Sequence, residues 1–425
     1  DNQPLNGIML DESNSFTQLY GLRYAGLNWF STLFELTFRK KIFTEAFISE
    51  SNENNNTVLV NWQTRIDPLN SALQTDLFYN ITSERLSKIE KVFVETRVGE
   101  GNYIYLGDLN GNGLKDENEF QLTIFNDGNY IRINVPTNDL FPVSSLNTSA
   151  RINLKPSRFV TVTGTDFLSE LLRNTTAETY LRAEEKSSDP NTDNIYFLNF
   201  GSFQNDSNTL VGVQLFQQDI NFFEFNPSYS LKLRYIQQRA FNQYVSGNER
   251  LYSIQKSVKL KVGLTRDVTT LFEYQNNLDR NEAPVNSVRN RDIKLEGFLS
   301  DLSYRPVQEI ESDFQLNFFR AVDKYPSVPV QADINQQILS FIYSFTFTGR
   351  LRAELERNEV RLNQSNASFP YELTNGRQEG KNFIWRAFFD YSISKNIQAT
   401  LNYDGRSEGG GNILHTGRAE LKAFF

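Results

Sequence analysis

From Tyr229 onward the chain keeps one pattern, an alternation of apolar and polar residues with a period of two. Tyr229, Leu231, Leu233 and Tyr235 alternate with Ser230, Lys232 and Arg234. Leu339, Phe341, Tyr343, Phe345 and Phe347 alternate with Ser340, Ser344 and Thr346, and Phe383, Trp385, Ala387, Phe389, Tyr391 and Ile393 with Asn382, Arg386, Asp390 and Ser392. Successive side chains of a strand point to opposite faces, so each run is a strand with one apolar and one polar face. The tail repeats the pattern: Gly417, Ala419, Leu421, Ala423 and Phe425 share one face, and Arg418, Glu420 and Lys422 the other.

Such strands build either a soluble β-sandwich or a closed barrel, and the connections separate the two. Short turns at Arg266-Asp267, 305–308, Thr348-Gly349 and Lys395-Asn396 alternate strictly with long polar loops at 278–290, 321–333, 363–380 and 405–411 over nine successive strands. A Greek-key sandwich mixes its connection lengths. A meander with short turns on one rim and long loops on the other is the outer-membrane barrel pattern. Tyr304, Trp385, Tyr391 and Tyr403, near strand ends, suit interfacial girdles.

The expected fold is therefore all-β: a transmembrane antiparallel up-and-down β-barrel of about 16–18 strands with a small extracellular β-hairpin module. Barrel strands fill residues 1–97 and 143–425, and the module fills 98–142. Thr82 to Glu90 reads as a short helix or a bulged strand, and 185–207 as a polar loop. Asp166 to Arg173 is the best helix, with Asp166 as its cap.

Composition agrees. Hydrophobic residues make up only 39%, mean hydropathy is -0.48, and no run reaches the roughly 18 apolar residues of a spanning helix. A barrel needs apolar residues only at alternate positions, so its mean hydropathy stays low. The net charge of -8 argues against a nucleic-acid partner, and the absence of Cys removes thiol nucleophiles, disulfides and Cys-ligated metals. The start DNQPLNGIML lacks the basic and apolar regions of a signal peptide, so an exported chain is read as mature or as a fragment.

One stretch carries site chemistry. Asp108 to Glu119 (DLNGNGLKDENE) fits D-x-[DN]-x-[DN]-G-x5-E at Asp108, Asn110, Asn112, Gly113 and Glu119. Calcium takes hard oxygen donors, a Gly at the sharp turn, a backbone carbonyl and a closing carboxylate. Leu114 would supply the carbonyl, Asp116 the ninth position and Glu119 the closing carboxylate. The flanks NYIYL and FQLTIF read as strands, so the loop sits on a β-hairpin rather than between helices. The alternative is a metal-free polar turn, which Asn and Gly also favour.

The segment VFVETRVGEGNYIYLGDLNGNGLKDENEFQLTIFNDGNYIRINVPTNDLF (Val92 to Phe141) resembles part of large outer-membrane proteins of Bacteroidota, and the tail from Gly380 to Phe425 is similar to their C-terminal end. The resemblance implies the barrel fold, the bacterial outer membrane, and a chain that belongs to a longer polypeptide. It brings no defined activity.

Three function classes follow. An enzyme is disfavoured: His415 is the only histidine, and parity puts it outward as a girdle residue rather than a catalytic base. A channel would be lined by inward Lys232, Arg234, Lys259, Lys261, Arg352, Arg386, Arg418 and Lys422, with Glu273, Glu296, Glu354, Asp390 and Glu420 as counter-charges. The favoured expectation is a non-enzymatic scaffold or subunit of a larger envelope complex. It contacts outer-membrane lipid and other envelope proteins, and calcium stabilises its module.

Overall fold

The computed structural model describes residues 2–5, 8–45, 55–125, 127–159, 166–284, 287–345, 348–364, 369–409 and 411–423. Expectations that touch residues 51–54, Asn126, Thr346, Phe347, Gly410 or the terminal Phe425 lie outside the described residues.

The strands are β1 (Asn2–Leu5), β2 (Ile8–Asp11), β3 (Ser13–Leu27), β4 (Phe30–Phe43), β5 (Asn55–Ile66), β6 (Leu73–Glu95), β7 (Tyr103–Tyr105), β8 (Phe120–Leu122), β9 (Tyr130–Leu154), β10 (Thr175–Ser187) and β11 (Thr209–Phe222). They continue with β12 (Tyr229–Tyr244), β13 (Gly247–Gly263), β14 (Val268–Glu282), β15 (Arg291–Val307), β16 (Ile310–Asp323), β17 (Val330–Phe345), β18 (Gly349–Leu362), β19 (Gly380–Ser394), β20 (Ile397–Ser407) and β21 (Leu414–Ala423). β1 and β2 form a separate ribbon, while β3 to β21 are hydrogen-bonded as one closed sheet in which sequence neighbours pair. This is the transmembrane-type antiparallel β-barrel expected from the alternation. Of its nineteen strands, β7 and β8 belong to the hairpin module, and the other seventeen are long.

The strands run further than their apolar text. β14 continues to Glu282, β16 to Asp323, and the stretch from Thr82 to Glu90 is continuous strand inside β6. Polar residues there still satisfy their backbone groups by pairing, so strands outlast the alternation that marks them. The loops from 278 and from 321 are shorter than expected for that reason. The helix at Phe167–Arg173 forms as expected, with Asp166 accepting from the Ser169 amide at 3.2 Å.

By contact, residues 1–89, 136–218 and 238–248 form one compact unit and residues 90–135, 219–237 and 249–425 another. In the second unit the register carries one apolar face across β14 to β21. Tyr274 lies opposite Phe298, Phe298 opposite Phe318, Phe314 opposite Leu339, Leu339 opposite Leu355, and Leu355 opposite Trp385. Phe389 lies opposite Leu401, and Ala399 opposite Leu421. Most of these large side chains are solvent-exposed, while Trp385 and Phe389 are half-buried. On β17 the apolar run Leu339, Phe341, Tyr343 and Phe345 spans about 20 Å of strand at roughly 3.4 Å per residue, on the scale of the apolar band of a membrane barrel. Above the belt the same face turns charged, with Lys294 bonded to Glu296 at 2.6 Å and Arg320 to Asp333 at 2.7 Å. Glu296 is thus corrected from a lumen residue to an outer-face one, because it pairs opposite Asn276 and Arg320 on the parity of Phe298.

The opposite face carries the ion pairs expected of a lumen. Lys259 meets Glu273 at 2.9 Å, and Arg386 meets Glu354 at 2.6 Å. Lys232 and Arg234 share Asp219 at 3.0 and 2.9 Å, a partner that sequence reading missed. Toward the long-loop rim this face becomes apolar. Ile293, Ala321, Val330, Ala332, Ile334 and Val360 bury Leu373 of a short helix, Tyr371–Thr374, from the β18–β19 loop. Arg377 of that loop bonds the nearly buried Glu356 at 2.7 Å. That long loop therefore turns inward.

In the first unit, pairing of β5 with β6 ends at Val60 opposite Ile81, although β6 continues well past it. Ile89 of β6 instead makes a parallel bridge to Tyr244 of β12. The upper part of β6 therefore departs from β5.

Candidate functional site

The module hangs between β6 and β9 and is built on its own aromatic core. Phe93 stacks on Phe120 at 3.9 Å, and Tyr103, Tyr105 and Tyr130 close around them. Gly101 and Gly128 let the two backbones touch, since a Cβ on Gly101 would sit 2.5 Å from the backbone of Tyr130. Lys115 covers the cluster, with its Nζ donating to the Tyr130 hydroxyl at 2.8 Å.

The loop from Asp108 to Glu119 lies on this core and carries all six sequence-predicted positions, joined in smaller groups by hydrogen bonds. Asp108 Oδ1 accepts from the Gly111 amide at 2.7 Å, and its Oδ2 from Gly113 at 2.8 Å. These backbone bonds, foremost that of Gly113, hold the Asp108 carboxyl below the usual carboxylate range. Gly113 has φ of 74°, a left-handed value that a side chain would strain, so the turn requires the Gly of the motif. Asn110 Oδ1 accepts from Asn112 N at 3.0 Å, and Asn112 Oδ1 from Leu114 N at 2.7 Å. The Asn110 and Asn112 amides both donate to Asp116 Oδ2, at 2.6 and 2.7 Å. The Leu114 side chain is exposed, which leaves its backbone as the group available to a ligand. Glu119 is buried and ties the loop's two ends together, with Oε1 accepting from Leu109 N at 2.9 Å and Oε2 from Asp116 N at 3.1 Å.

The donor set fits a hard cation on one condition. Among the described residues no three His, Asp, Glu or Cys side chains converge on one point, so amides must complete the shell. Asn110 and Asn112 already converge on Asp116, and a flip of each amide would present oxygen where nitrogen now points, at the cost of the bonds their oxygens accept from Asn112 N and Leu114 N. The carboxylates of Asp108, Asp116 and Glu119 accept from N–H groups.

Two sets of contacts hold the module against the polar face of its unit. Glu117 meets Lys91 at 3.2 Å, Arg289 at 3.0 Å and Arg132 at 3.9 Å. Lys91 also reaches Glu249 at 2.8 Å, and Arg289 bonds Glu249 as well. Lys91 is nearly enclosed, its side chain 5% exposed. Asn118 Oδ1 accepts from the Val288 amide at 3.3 Å. At the other end of the module, Asp127 pairs with Arg406 of β20, whose guanidinium lies 3.6 Å from the Phe125 ring centroid. The module thus emerges at the long-loop rim and turns inward, touching β13, the β14–β15 loop and β20. Glu117, Glu249, Lys91, Arg289, Asp127 and Arg406 escaped the sequence reading because their partners lie far apart in the chain.

His415 lies on the apolar face. Its Nδ1 is 2.9 Å from the Tyr403 hydroxyl, their rings stack, and Trp385 meets the His415 ring edge-on. Trp385, Tyr403 and His415 together have the make-up of an interfacial girdle.

Comparison with known proteins finds no matching family model and no matching curated protein. Among solved structures, the chain is similar to the open form of the ferric-catecholate import receptor Fiu from E. coli K12, at 11% identity and a TM-score of 0.40. The match covers 96% of this chain and 66% of the receptor. So distant a likeness carries no functional assignment.

Proposed function

We propose that the chain is a non-enzymatic outer-membrane β-barrel that serves as a membrane-embedded subunit or scaffold of a larger envelope assembly for secretion or uptake. The continuous apolar belt supports the membrane placement, as does the resemblance of two segments to outer-membrane proteins of Bacteroidota. The observation that carries the reading is the inward docking of the module, held by the near-buried Lys91 between Glu117 and Glu249. An open diffusion pore gains nothing from an insert pinned to its lumen face. A subunit that awaits partners gains a closed resting state.

A channel reading rests on the polar lumen face, where Arg350, Arg352, Glu354, Arg386 and Asp404 line a cavity. Planar-bilayer conductance separates the two. Silence of the wild-type chain is expected, and a steady ohmic conductance would overturn the closed-subunit reading.

Calcium is part of the proposal. Asp108, Asn110, Asn112, Asp116 and Glu119 side chains with the Leu114 carbonyl would hold it. A bound ion would supply positive charge to Asp108, Asp116 and Glu119 in one loop. Terbium luminescence tests this, because Tyr105 lies 3.4 Å from Glu119 and would sensitise the ion. Saturable emission lost in both Asp108→Ala and Glu119→Ala is expected; no emission from the wild type would reduce the loop to a turn.

A further inference from the structure

By sequence, residues 185–207 read as a polar loop; the structure keeps 185–187 in β10 and makes the lobe from 188–208. The lobe has its own short helix, Asp193–Tyr196, and a core. Ile195 and Phe203 pack with Ile81, Leu146 and Ala183. Glu185 is buried beneath it, its Oε1 accepting from Thr209 Oγ1 at 2.5 Å and from Gln204 N at 3.0 Å. A Cβ on Gly212 would come within 2.7 Å of that carboxylate, so a bare glycine makes room for the lobe.

The lobe sits on the apolar-face side of its unit. Leu146 pairs opposite Glu185, and Tyr79 opposite Trp62, which pairs opposite Phe34 on the outward parity of β4. Its height is fixed by two hydrogen bonds, from Tyr79 Oη to the Tyr196 carbonyl at 2.6 Å and from Tyr196 Oη to the Val58 carbonyl at 3.1 Å. Val58 lies opposite Phe38, the last aromatic on the outward face of β4 before Lys40. The lobe is therefore seated at the upper border of the apolar belt. Although its own core is buried, Phe197 is 81% exposed and Phe200 56% exposed.

We infer that the lobe 188–208 is a foot that rests on the outer surface of the bilayer, with Phe197 and Phe200 inserted at the headgroup–acyl boundary. The inference rests on the outer-membrane reading. Aromatic rings gain free energy at that boundary, and their position continues the lipid-facing surface of the same strands. Of the lobe's acidic residues, Asp193 and Asp206 are exposed and Asp189 is half-buried.

The chain has no native Cys, so single nitroxide labels report position cleanly. Labels introduced through Phe197→Cys, Phe200→Cys, Leu401→Cys in the belt and Asn191→Cys on the lobe's polar side are compared in proteoliposomes for collision with oxygen and with a water-soluble nickel chelate. Only preparations with wild-type heat-modifiable mobility are read. The expected ratio of oxygen to nickel accessibility at 197 and 200 is at least about threefold that at 191. If 401 is shielded from nickel while 197 and 200 match 191, the foot is overturned and the membrane barrel stands. If 401 is also open to nickel, the membrane reading fails and the foot with it.

Discussion

Lys91→Met removes the charge between Glu117 and Glu249 and keeps the length of the side chain. Both carboxylates then keep only Arg289 as a close cation, with Arg132 at 3.9 Å from Glu117 and the Asn281 amide donating to Glu249 at 3.2 Å. Breaking a buried pair costs about 3–5 kcal/mol, and because Arg289 still touches both acids the lower end, about 3 kcal/mol, applies. At about 1.4 kcal/mol per decade, the module should be undocked roughly 100-fold more of the time. Amide hydrogen exchange of Val288, whose N–H is held by Asn118, reads that opening directly. Adding Glu117→Gln to Lys91→Met should recover part of the protection, since it removes an uncompensated charge. Acceleration of less than about fivefold, or no recovery in the double variant, would show that the cluster is not what holds the module.

The Asp108 carboxyl is held low by backbone N–H groups, so its contribution is complete above the ordinary Asp pKa of about 3.9 and is lost as pH falls through the lowered value. A carboxyl ¹³C titration should find Asp108 still ionised where a free Asp is half-protonated, and a midpoint at or above the ordinary value would refute the hydrogen-bond account. Leu373→Ala empties a fully buried site beneath the β18–β19 loop and should cost about 2–5 kcal/mol, read as a lower denaturant midpoint; a change under about 1 kcal/mol would mean that the loop is not docked. Gly405→Ala should push Trp385 aside, because the new Cβ would lie 2.1 Å from Nε1, and cost about 1–3 kcal/mol with a shifted Trp emission. Unchanged emission would show that the indole does not lie across Gly405.

The wall was legible from sequence because a membrane-facing strand has only one free variable, parity. From Leu421 back to Leu339, the described residues assigned outward by alternation are those the register places on one face. Glu296 failed because the alternation stops at the top of the belt while the strand does not. There, charge no longer means lumen. The turn at Asp108 to Glu119 was also local, since the contacts within the loop lie within a dozen residues. The latch was not: Lys91 and Glu249 are 158 residues apart, and Asp127 and Arg406 are 279 apart. Nothing local marks any of them. The lobe was missed for a related reason, as its polar text conceals two buried residues, Ile195 and Phe203, whose partners lie on distant strands.

The aromatic core of the module draws all its members from Phe93 to Tyr130, a short span of chain between two strands that are themselves neighbours in the sheet. Contacts so close in sequence form early, because little loop entropy is lost in making them. The module can therefore take shape while the chain on either side is still unpaired, and its long-range latch to Glu249 and Arg406 must form after β13 and β20 are in place. Order of assembly is thus written into this part of the chain: the insert first, the wall next, and the seal last.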